Sequence, residues 1–221
     1  MTHIPLGTGN DFIRNFTGQD SFARMDILRG YDLLPVDIIK AGERMCLNVC
    51  ALGVDARAAL EMQKFRFAKK LSPKVPYNLG VGMAMLKGLS RHCHVTVDGE
   101  IFDDSYTLVT VMNGRYYGGG FNPAPGAVLD DGKLDVVLIK KVNVFQVAGL
   151  IGHYAKGEME KLGDHAILRR AEKVRIATLK PTAVTYDGEI GFMTELDIEV
   201  LPQRLAFAVP KGVGFLKPKE N

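Results

Sequence analysis

Apolar and polar positions follow a helical period near the beginning of the chain and a strand-like period after it. Within residues 10–30, apolar side chains recur at helical spacing and the run ends at Gly30, which predicts one helix. Residues 36–50 contain two apolar runs on either side of Ala41-Gly42-Glu43-Arg44, a pattern typical of a hairpin. The chain therefore begins with a helical segment and then changes to β-structure.

Short strands separated by turn residues dominate the rest of the chain. They are predicted at 92–97, 106–113, 133–140, 166–178, 182–186, 195–200 and 204–209. The helices that accompany them are predicted at 54–66, 76–90 and 143–160. Many short strands with little alternation of helix and strand favour a sandwich over a sequentially wound α/β fold. We therefore expect an α+β chain that is mainly β, with a C-terminal β-sandwich, flanking helices and a frayed tail over 211–221.

The composition narrows the class of protein. The 221 residues are 47% hydrophobic and 24% charged, which is ordinary for a soluble globular protein. The 28 basic residues nearly balance the 25 acidic residues, so bulk charge gives no argument for a nucleic-acid partner. We expect no nucleic-acid binding.

Cysteine usage and hydropathy bear on the cellular compartment. Cys46, Cys50 and Cys93 are an odd number of cysteines in apolar or strand-like settings, which favours reduced thiols in a cytoplasmic protein. No apolar run approaches the roughly 18 residues of a membrane span, and the sequence shows no secretory leader. We therefore expect a cytoplasmic protein that is not integral to a membrane.

A glycine turn near the N-terminus is a candidate phosphate site. A short apolar run ending at Leu6 is followed by Gly7-Thr8-Gly9-Asn10-Asp11 and then by the helical pattern. Strand, glycine turn and helix start are the arrangement that presents backbone N–H groups to phosphate. Gly-Thr-Gly turns also occur as plain connectors, so the segment by itself leaves both interpretations open.

An acidic loop is a candidate site for a hard cation. In Val128-Leu129-Asp130-Asp131-Gly132-Lys133-Leu134-Asp135, three carboxylates surround one glycine. Mg²⁺ prefers oxygen ligands and often takes one carboxylate with carbonyls and water. The same residues are also typical of a turn before a strand, because Asp-Gly is a common hairpin pair. Composition alone favours the turn.

Two Asp-Gly-Glu triplets, Asp98-Gly99-Glu100 and Asp187-Gly188-Glu189, each lie between strand-like runs. A glutamate on a rigid hairpin can accept a proton from a substrate hydroxyl, but a solvated turn has the same pattern. The pattern does not distinguish the two copies.

A histidine pair and a basic segment are two further candidate sites, and each also has a simpler structural explanation. His92 and His94 alternate on a predicted strand, and a surface pair explains them better than a metal site. The segment 64–74 interleaves cations with phenylalanines, which suits an anionic membrane surface and a solvated helix end equally well.

In order and spacing, these motifs together resemble the diacylglycerol kinase catalytic family, particularly its bacterial soluble lipid-kinase members. The resemblance covers the chain from Ile4 to about Val209. The matching residues are Leu6-Gly7-Thr8-Gly9-Asn10-Asp11-Phe12, Asn113-Gly114 with Gly118-Gly119-Gly120, Pro125-Gly126-Ala127 continuing to Asp135, and Asp187-Gly188-Glu189.

The resemblance implies an architecture and a set of site residues. Members of this family are similar to NAD kinases and phosphofructokinases, with an α/β nucleotide domain before a β-sandwich and the active site between them. Residues 1–30 would be a remnant of the first domain, 31–210 the second and 211–221 a tail. Gly7, Thr8, Gly9, Asn10 and Asp11 would belong to the nucleotide site, with Thr8 contacting ATP and Asp11 in the acidic network of the cleft.

The resemblance also assigns the metal and the base. Asp131 would hold a structural Mg²⁺ through its carboxylate, with the main-chain carbonyls of Val128 and Lys133 as further ligands. Glu189 would be the general base that activates the lipid hydroxyl, while Asp98-Gly99-Glu100 matches only a variable hairpin. The implied activity is ATP- and Mg²⁺-dependent phosphoryl transfer to a diacylglycerol-like lipid alcohol, by a cytoplasmic protein peripheral at the inner membrane surface.

One part of the family pattern is missing. The chain contains no Gly-Gly-Asp-Gly-Thr loop, which in the family cradles the ATP phosphates. We therefore expect a truncated lipid kinase that is inactive alone. The alternatives are a kinase for sphingoid bases or other lipid alcohols, and a non-catalytic domain that binds lipid or a protein partner. Exposed strands of a sandwich can also pair between chains, so a homodimer is a further expectation.

Overall fold

The computed structural model describes residues 1–6, 9–53, 56 and 90–217. Strands predominate in this part of the chain. They are β1 (Tyr31–Ala41), β2 (Arg44–Cys46), β3 (Val49–Gly53), β4 (Arg91–Val97), β5 (Glu100–Met112), β6 (Leu134–Lys140), β7 (Ala166–Ala171), β8 (Lys173–Tyr186) and β9 (Glu189–Pro210). The α-helices are α1 (Gln19–Ala23) and α2 (Val144–Lys156), and 3₁₀ turns span Phe12–Asn15, Asp26–Arg29 and Met159–His165.

All pairing between these strands is antiparallel. The order is β2-β1-β9-β8-β3-β5-β6-β7, and β4 also lies between β8 and β5. β3 joins the two long strands at one end, where Cys50 pairs with Tyr186 and Val111, and β4 joins them at the other, where Val95 pairs with Ile176 and Phe102. The long strands β5 and β8 thus connect two groups of strands.

Apolar side chains of both groups are buried in one large cluster. It includes Ile39 of β1, Ile198 of β9, Leu138 of β6 and Val111 of β5. In a flat sheet β1 and β6 would be five strand spacings apart, about 24 Å, with this face open to water. The burial of these side chains is explained if the two groups of strands pack face to face. The fold is therefore mainly β and sandwich-like, as the sequence predicts.

Two smaller clusters lie outside this core. On the opposite face of β3, β5 and β6, residues such as Ala51 and Val137 pack with Tyr154 of α2 and with Leu162. Near the N-terminus, Phe12 and Phe16 pack with Phe207 of β9. The second cluster supports the loop after β5, and the third attaches the first residues of the chain to the end of β9.

The single helix predicted over 10–30 is wrong. This segment contains α1 and two 3₁₀ turns. Gly18 and Met25 adopt left-handed backbone with φ of 60° and 58°, which interrupts a right-handed helix. The predicted helices over 54–66 and 76–90 and the basic segment 64–74 lie outside the described residues, apart from Ala56 and Ser90.

Strand boundaries differ from the predicted ones where a strand changes its partner. The predicted strand 166–178 divides at Glu172 into β7, which pairs with β6, and β8. The predicted strands 195–200 and 204–209 are parts of one strand, β9, which pairs with β8 over its first half and with β1 over its second. It remains continuous through Gln203, whose φ is 48°.

The predicted helix over 143–160 ends early, and the fraying expected for the tail is wrong as far as residue 217. α2 ends at Lys156, because Gly157 takes a φ of 75°. In the tail, the Leu216 N–H donates to the Asn15 carbonyl at 2.8 Å, and the Arg115 guanidinium donates to the carbonyls of Leu216 and Lys217 at 2.6 and 3.1 Å. The tail is therefore bound to the body of the protein.

Candidate active site

The described part of the N-terminal turn lies against the loop of three glycines. Asp11 Oδ2 accepts a hydrogen bond from the Gly119 N–H at 2.7 Å, and Asp11 Oδ1 is 3.4 Å from Arg14 Nε. Gly118, Gly119 and Gly120 have φ of 63°, 86° and 120°, values that glycine adopts at little cost. The structure thus brings together two motifs that are more than a hundred residues apart.

The other predicted nucleotide residues are only partly described. Gly7 and Thr8 lie outside the described residues, so their predicted roles are untested. Asn10 has a left-handed φ of 50°, and its Oδ1 lies 3.3 Å from His3 Nε2. A Cβ on Gly9 would lie 3.3 Å from Asp11 Oδ2, so a larger residue here would crowd the carboxylate.

Buried asparagines connect this turn to the sandwich. Asn15 Oδ1 accepts from the Arg115 N–H at 2.8 Å, and Asn113 Nδ2 donates to the carbonyls of Asp37 and Leu47 at 2.8 and 3.0 Å. Residue 114 must be glycine for lack of space, because a Cβ on Gly114 would be only 2.2 Å from Asn48 Oδ1. The Asn113-Gly114 pair is therefore a close crossing of chain segments at the end of β5.

The acidic loop is held by a fully buried carboxylate, that of Asp37. Its two oxygens accept from the N–H groups of Gly132 and Gln203 at 2.7 and 2.6 Å. Burial raises the pKa of Asp37, and the negative charges of Asp131 and Asp130 raise it further, against the lowering effect of these two hydrogen bonds. Asp37 therefore fixes the position of the predicted metal loop relative to β1 and β9.

Arg170 is the cation that faces this loop. Its guanidinium contacts the Asp131 carboxylate closely and lies 3.8 Å from Asp135 Oδ1. Burial raises the pKa of Asp135 to about 6, with Arg170 lowering it and Asp131 raising it. Asp135 Oδ2 is buried with no hydrogen-bond partner among the described residues. The negative charges of the loop are thus only partly compensated.

Within the described residues, the side chains of the acidic loop do not by themselves form a metal site. No group of three or more His, Cys, Asp or Glu side chains is arranged there to hold a metal ion. The predicted ligand set has a single carboxylate, from Asp131, with the carbonyls of Val128 and Lys133. That set remains a prediction.

The hairpin that carries Glu189 is anchored to the start of β3. The Asp187 carboxylate accepts from the N–H groups of Leu47, Asn48 and Val49 at 2.5, 3.0 and 2.8 Å. Asn48 in turn accepts from the Asn113 N–H through its carbonyl at 2.9 Å. A continuous set of hydrogen bonds therefore runs from Asp187, two residues before the predicted base, through Asn48 and Asn113 to Asp37 and the acidic loop.

The two Asp-Gly-Glu hairpins have the same backbone conformation, but their glutamate side chains have different surroundings. Asp98 and Asp187 have φ of 44° and 49°, and the following glycines 91° and 92°. Glu100 forms a bidentate ion pair with Arg169, at 2.7 and 2.8 Å. The Glu189 side chain is 85% exposed, and the Arg44 Nη1 atom lies 3.8 Å away. Of the two glutamates, Glu189 is the more exposed and makes no close ion pair of the kind that Glu100 makes with Arg169.

Arg44 and Tyr186 form the surroundings of Glu189. The Arg44 guanidinium lies over the Tyr186 ring, 4.8 Å from its centroid, a cation–π geometry. Tyr186 pairs directly with Glu189 across the hairpin. The predicted base, Glu189, is thus flanked by one cation and one aromatic ring.

A larger groove lies elsewhere and does not include Glu189. It measures about 770 Å³ and lies between the β4–β5 turn and strands β8 and β9. Its lining includes two ion pairs, Lys40–Glu199 at 2.8 Å and Arg175–Asp197 at 3.0 Å, and Asp98, which accepts from backbone N–H groups. We therefore place the candidate active site at the Glu189 hairpin and the loops linked to it.

Sequence reasoning missed the residues that hold the site together. Asp37, Asn15, Asn48 and Arg115 are all buried polar residues with defined partners. One signal was available, because Asp37 interrupts the apolar run Val36-Asp37-Ile38-Ile39 of a predicted strand. The partners themselves come from distant parts of the chain and leave no local pattern.

Fold and loops together define a β-sandwich domain of the NAD-kinase-like architecture. Residues 48–209 match the family described as the YegS C-terminal NAD kinase beta sandwich-like domain. Because the match covers most of the chain, the chain belongs to this family.

Its relatives include named lipid kinases. A "Probable lipid kinase YegS-like" protein of Shewanella frigidimarina is 26% identical over 210 residues, covering 94% of this chain and 66% of the relative. A "Diacylglycerol kinase" of Bacillus subtilis is 26% identical over 216 residues, covering 94% and 68%. This chain thus belongs to a lipid kinase family and spans about two thirds of the length of these relatives.

Solved structures show the same fold. A crystal structure of a diacylglycerol kinase from Bacillus anthracis is 21% identical, with a TM-score of 0.62, over 93% of this chain and 65% of that chain. Another structure from this organism gives a TM-score of 0.68 at 24% identity, over 93% and 67%. In the described part of this chain, no helix has the length and hydropathy to cross a membrane.

Proposed function

We propose that this chain is part of an ATP- and Mg²⁺-dependent lipid kinase, which transfers a phosphoryl group from ATP to the hydroxyl of a diacylglycerol-like lipid. The observation that carries the proposal is the difference between the two Asp-Gly-Glu hairpins. Glu100 is neutralised by Arg169, whereas Glu189 is open at the end of a hairpin that Asp187 fixes in place. A rigid hairpin with an open carboxylate suits a general base.

Each part of the site has a role in this reaction. Phosphoryl transfer requires positioned phosphates, compensation of their charge and a base near the attacking hydroxyl. Glu189 would accept the hydroxyl proton on a carboxylate oxygen as the lipid oxygen attacks the γ-phosphorus of ATP, and the bond from that phosphorus to the bridging oxygen breaks to release ADP. Asp11 holds the glycine loop through the Gly119 N–H, and so positions backbone next to the predicted nucleotide turn. The lipid acceptor would be met at the inner membrane surface, with the protein peripheral to it.

The acidic loop fits a hard cation in its donor chemistry. Asp131, with the carbonyls of Val128 and Lys133, would supply oxygen ligands of the kind that Mg²⁺ takes. Nearby negative charge raises the pKa of Asp130 and Asp135, after the larger effect of burial, and a cation would relieve this repulsion. When bound, the cation would supply positive charge that offsets the negative charges of the loop carboxylates. Arg170 would have to share the Asp131 carboxylate.

Cation binding can be tested on the chain itself by thermal unfolding in Mg²⁺. A ligand at about 100 times its Kd stabilises the folded state by about 2.7 kcal/mol. We expect Mg²⁺ to raise the unfolding temperature, Asp131→Asn to abolish the effect, and Arg170→Gln to preserve or strengthen it. An equal effect of Mg²⁺ on wild type and Asp131→Asn would contradict the assignment.

The base can be tested by a matched pair of substitutions. The chain alone is expected to show no turnover of ATP on diacylglycerol, because it contains no Gly-Gly-Asp-Gly-Thr loop. We therefore suggest fusing it behind the third of the Bacillus subtilis relative that it does not span. In an active fusion, Glu189→Gln is expected to lower kcat by at least ~100-fold, in the range of general-base catalysis, while Glu100→Gln changes it little.

Two results would contradict the proposal. Full activity of the Glu189→Gln fusion would remove Glu189 as the base. An inactive fusion that still binds lipid would favour a non-catalytic lipid-binding domain.

A further inference from the structure

Arg115 is a buried cation in the loop that follows β5, where it is only 6% exposed. In the described part of the chain its guanidinium donates to main-chain carbonyls and to no carboxylate. The acceptors are the carbonyls of Ala127 at 2.8 Å, Leu216 at 2.6 Å and Lys217 at 3.1 Å. A buried charge is costly unless hydrogen bonds compensate it, so the guanidinium and these three carbonyls hold one another in place.

The backbone of Arg115 is joined to the turn that follows the predicted nucleotide residues. Its N–H donates to Asn15 Oδ1 at 2.8 Å, and four residues further on the Gly119 N–H donates to Asp11 Oδ2 at 2.7 Å. Asp11 and Asn15 lie at the two ends of the 3₁₀ turn Phe12–Asn15. This turn is therefore fastened at both ends to the loop after β5.

The Arg115 side chain also holds the start of the acidic loop. Ala127, whose carbonyl accepts from Arg115 Nε, directly precedes Val128, whose own carbonyl is a predicted Mg²⁺ ligand. On the other side of Val128, the Leu129 carbonyl accepts from the Asp37 N–H at 2.7 Å. The main chain is therefore fixed on both sides of the predicted ligand, by Arg115 on one side and by Asp37 on the other.

The C-terminal segment 214–217 supplies the other two acceptors of the guanidinium. This segment runs along the 3₁₀ turn, because the Leu216 N–H donates to the Asn15 carbonyl and the Thr17 N–H donates to the Gly214 carbonyl, both at 2.8 Å. Without the segment, two of the three carbonyls that compensate the buried charge would be lost. The position of the guanidinium therefore depends on a part of the chain that is remote in sequence.

From these contacts we propose that Arg115 is a positioning residue for phosphoryl transfer, which fixes the predicted nucleotide turn relative to the predicted metal loop, and that segment 214–217 keeps it in place. This inference rests on the proposed function. Arg115 acts through Asn15 on the turn and through Ala127 on the loop. Because a misplacement of about 1 Å can cost on the order of 100-fold in rate, the arrangement is expected to affect kcat.

The first experiment measures hydrogen exchange by NMR on the chain itself, so it does not depend on turnover. We expect Arg115→Gln and Leu216→Pro to speed the exchange of the Gly119 N–H by at least about fivefold more than that of Val95, an amide of β4. Thr17→Val is the matched control. It removes the bond from the Gly214 N–H to Thr17 Oγ1 at 3.0 Å but leaves every contact of Arg115, and should change the Gly119 rate by less than about twofold.

Two results of this experiment would overturn the inference. An equal rise at Gly119 and Val95 would mean that Arg115 contributes to overall stability only. An unchanged Gly119 rate in Leu216→Pro would remove segment 214–217 from the arrangement. Leu216 lies near the end of the chain, so Leu216→Pro still tests the connection if Arg115→Gln does not fold.

The second experiment uses the fusion with the Bacillus subtilis segment. Arg115→Lys is expected to lower kcat by at least ~10-fold and to change the KM for ATP less than about threefold, because an ammonium cannot reproduce the fork of donors to three carbonyls. An unchanged kcat would overturn the positioning role. A fusion without any activity would contradict the proposed function, whereas the exchange at Gly119 is measured on the chain alone, so the two failures are separate results.

Discussion

At the residue scale, the least expected group is the carboxylate of Asp135. The side chain is 16% exposed, its Oδ2 has no hydrogen-bond partner among the described residues, and its pKa is about 6. Burial is the main cause of the raised pKa, and the neighbouring charge of Asp131 adds to it. A strand position that alternates with Leu134 and Val136 gave no indication of this environment.

This raised pKa predicts how stability depends on pH. The folded pKa of Asp135 lies above its unfolded value of 3.8, so the protonated side chain contributes stability that is complete below about pH 4 and lost as pH rises through about 6. Relative to Asp135→Asn, wild type should lose up to about 3 kcal/mol of unfolding free energy between pH 4 and pH 7. Urea unfolding of both proteins measures this difference. An NMR titration midpoint of Asp135 near 4 would contradict it.

Asp187 predicts a second residue-scale effect. Its carboxylate accepts from three successive backbone N–H groups at Leu47, Asn48 and Val49. Asp187→Ala would leave these donors without their acceptor, at a cost of about 1–3 kcal/mol. Asp98→Ala is the matched control, because Asp98 accepts from only two N–H groups, those of Glu172 and Lys173. Denaturant unfolding should show the larger loss for Asp187→Ala.

At the scale of elements, helix α2 begins at a capping box and is followed by a position that requires glycine. Asn143 and Gln146 form a capping box, with each side chain accepting from the other's backbone N–H at 2.9 and 2.8 Å. The helix ends at Lys156, and a Cβ on the next residue, Gly157, would be 2.6 Å from the Asn122 carbonyl oxygen. The Asn122 N–H donates to the Ala155 carbonyl at 3.0 Å, and this hydrogen bond fixes α2 against the loop that follows the three glycines.

Glycines within and at the end of α2 should respond in opposite ways. Gly157→Ala combines a φ of 75° with a backbone clash, so we expect a loss of more than 1 kcal/mol. Gly149→Ala meets nothing within 4 Å and should stabilise the protein by about 0.5–1 kcal/mol, because alanine has the higher helix propensity. Thermal unfolding of the two variants tests both signs. Equal effects of the two substitutions would mean that the backbone around Gly157 can adjust to a side chain.

At the scale of the whole molecule, the ribbon of β1 and the end of β9 has an exposed apolar face. Tyr31 and Leu33 lie on one face of β1, and they are 60% and 59% exposed. Their partners across the ribbon are Pro210 and Ala208. A strand pair facing water usually alternates apolar and polar residues, so this face is suited to contact with another protein surface.

We expect the purified chain to associate with itself through this face. Leu33→Lys should lower the association seen by sedimentation at high protein concentration, because it places a charge in the apolar patch. Phe145→Lys, at an 89% exposed position of α2, is the control and should have no such effect. Association that is unchanged by Leu33→Lys would locate the contact elsewhere.

The sequence by itself determined the class of fold and the local turns. Its period of apolar residues indicated a mainly β sandwich, and the two Asp-Gly pairs indicated tight hairpins, because these residues tolerate the left-handed backbone that such turns need. The order of the motifs also indicated the lipid kinase family. These features depend on neighbours in sequence, which a local pattern records.

The tertiary structure alone decided how the site is assembled. Only folding shows that Asp187 holds residues 47–49, that Asn113 reaches Asp37, and that Arg169 neutralises Glu100 while Glu189 stays open. It also decided where strands change partner, which moved the predicted boundaries of β7, β8 and β9. The physical reason is the same in each case: hydrogen bonds and ion pairs between residues far apart in the chain depend on distances that exist only after the sheet has formed.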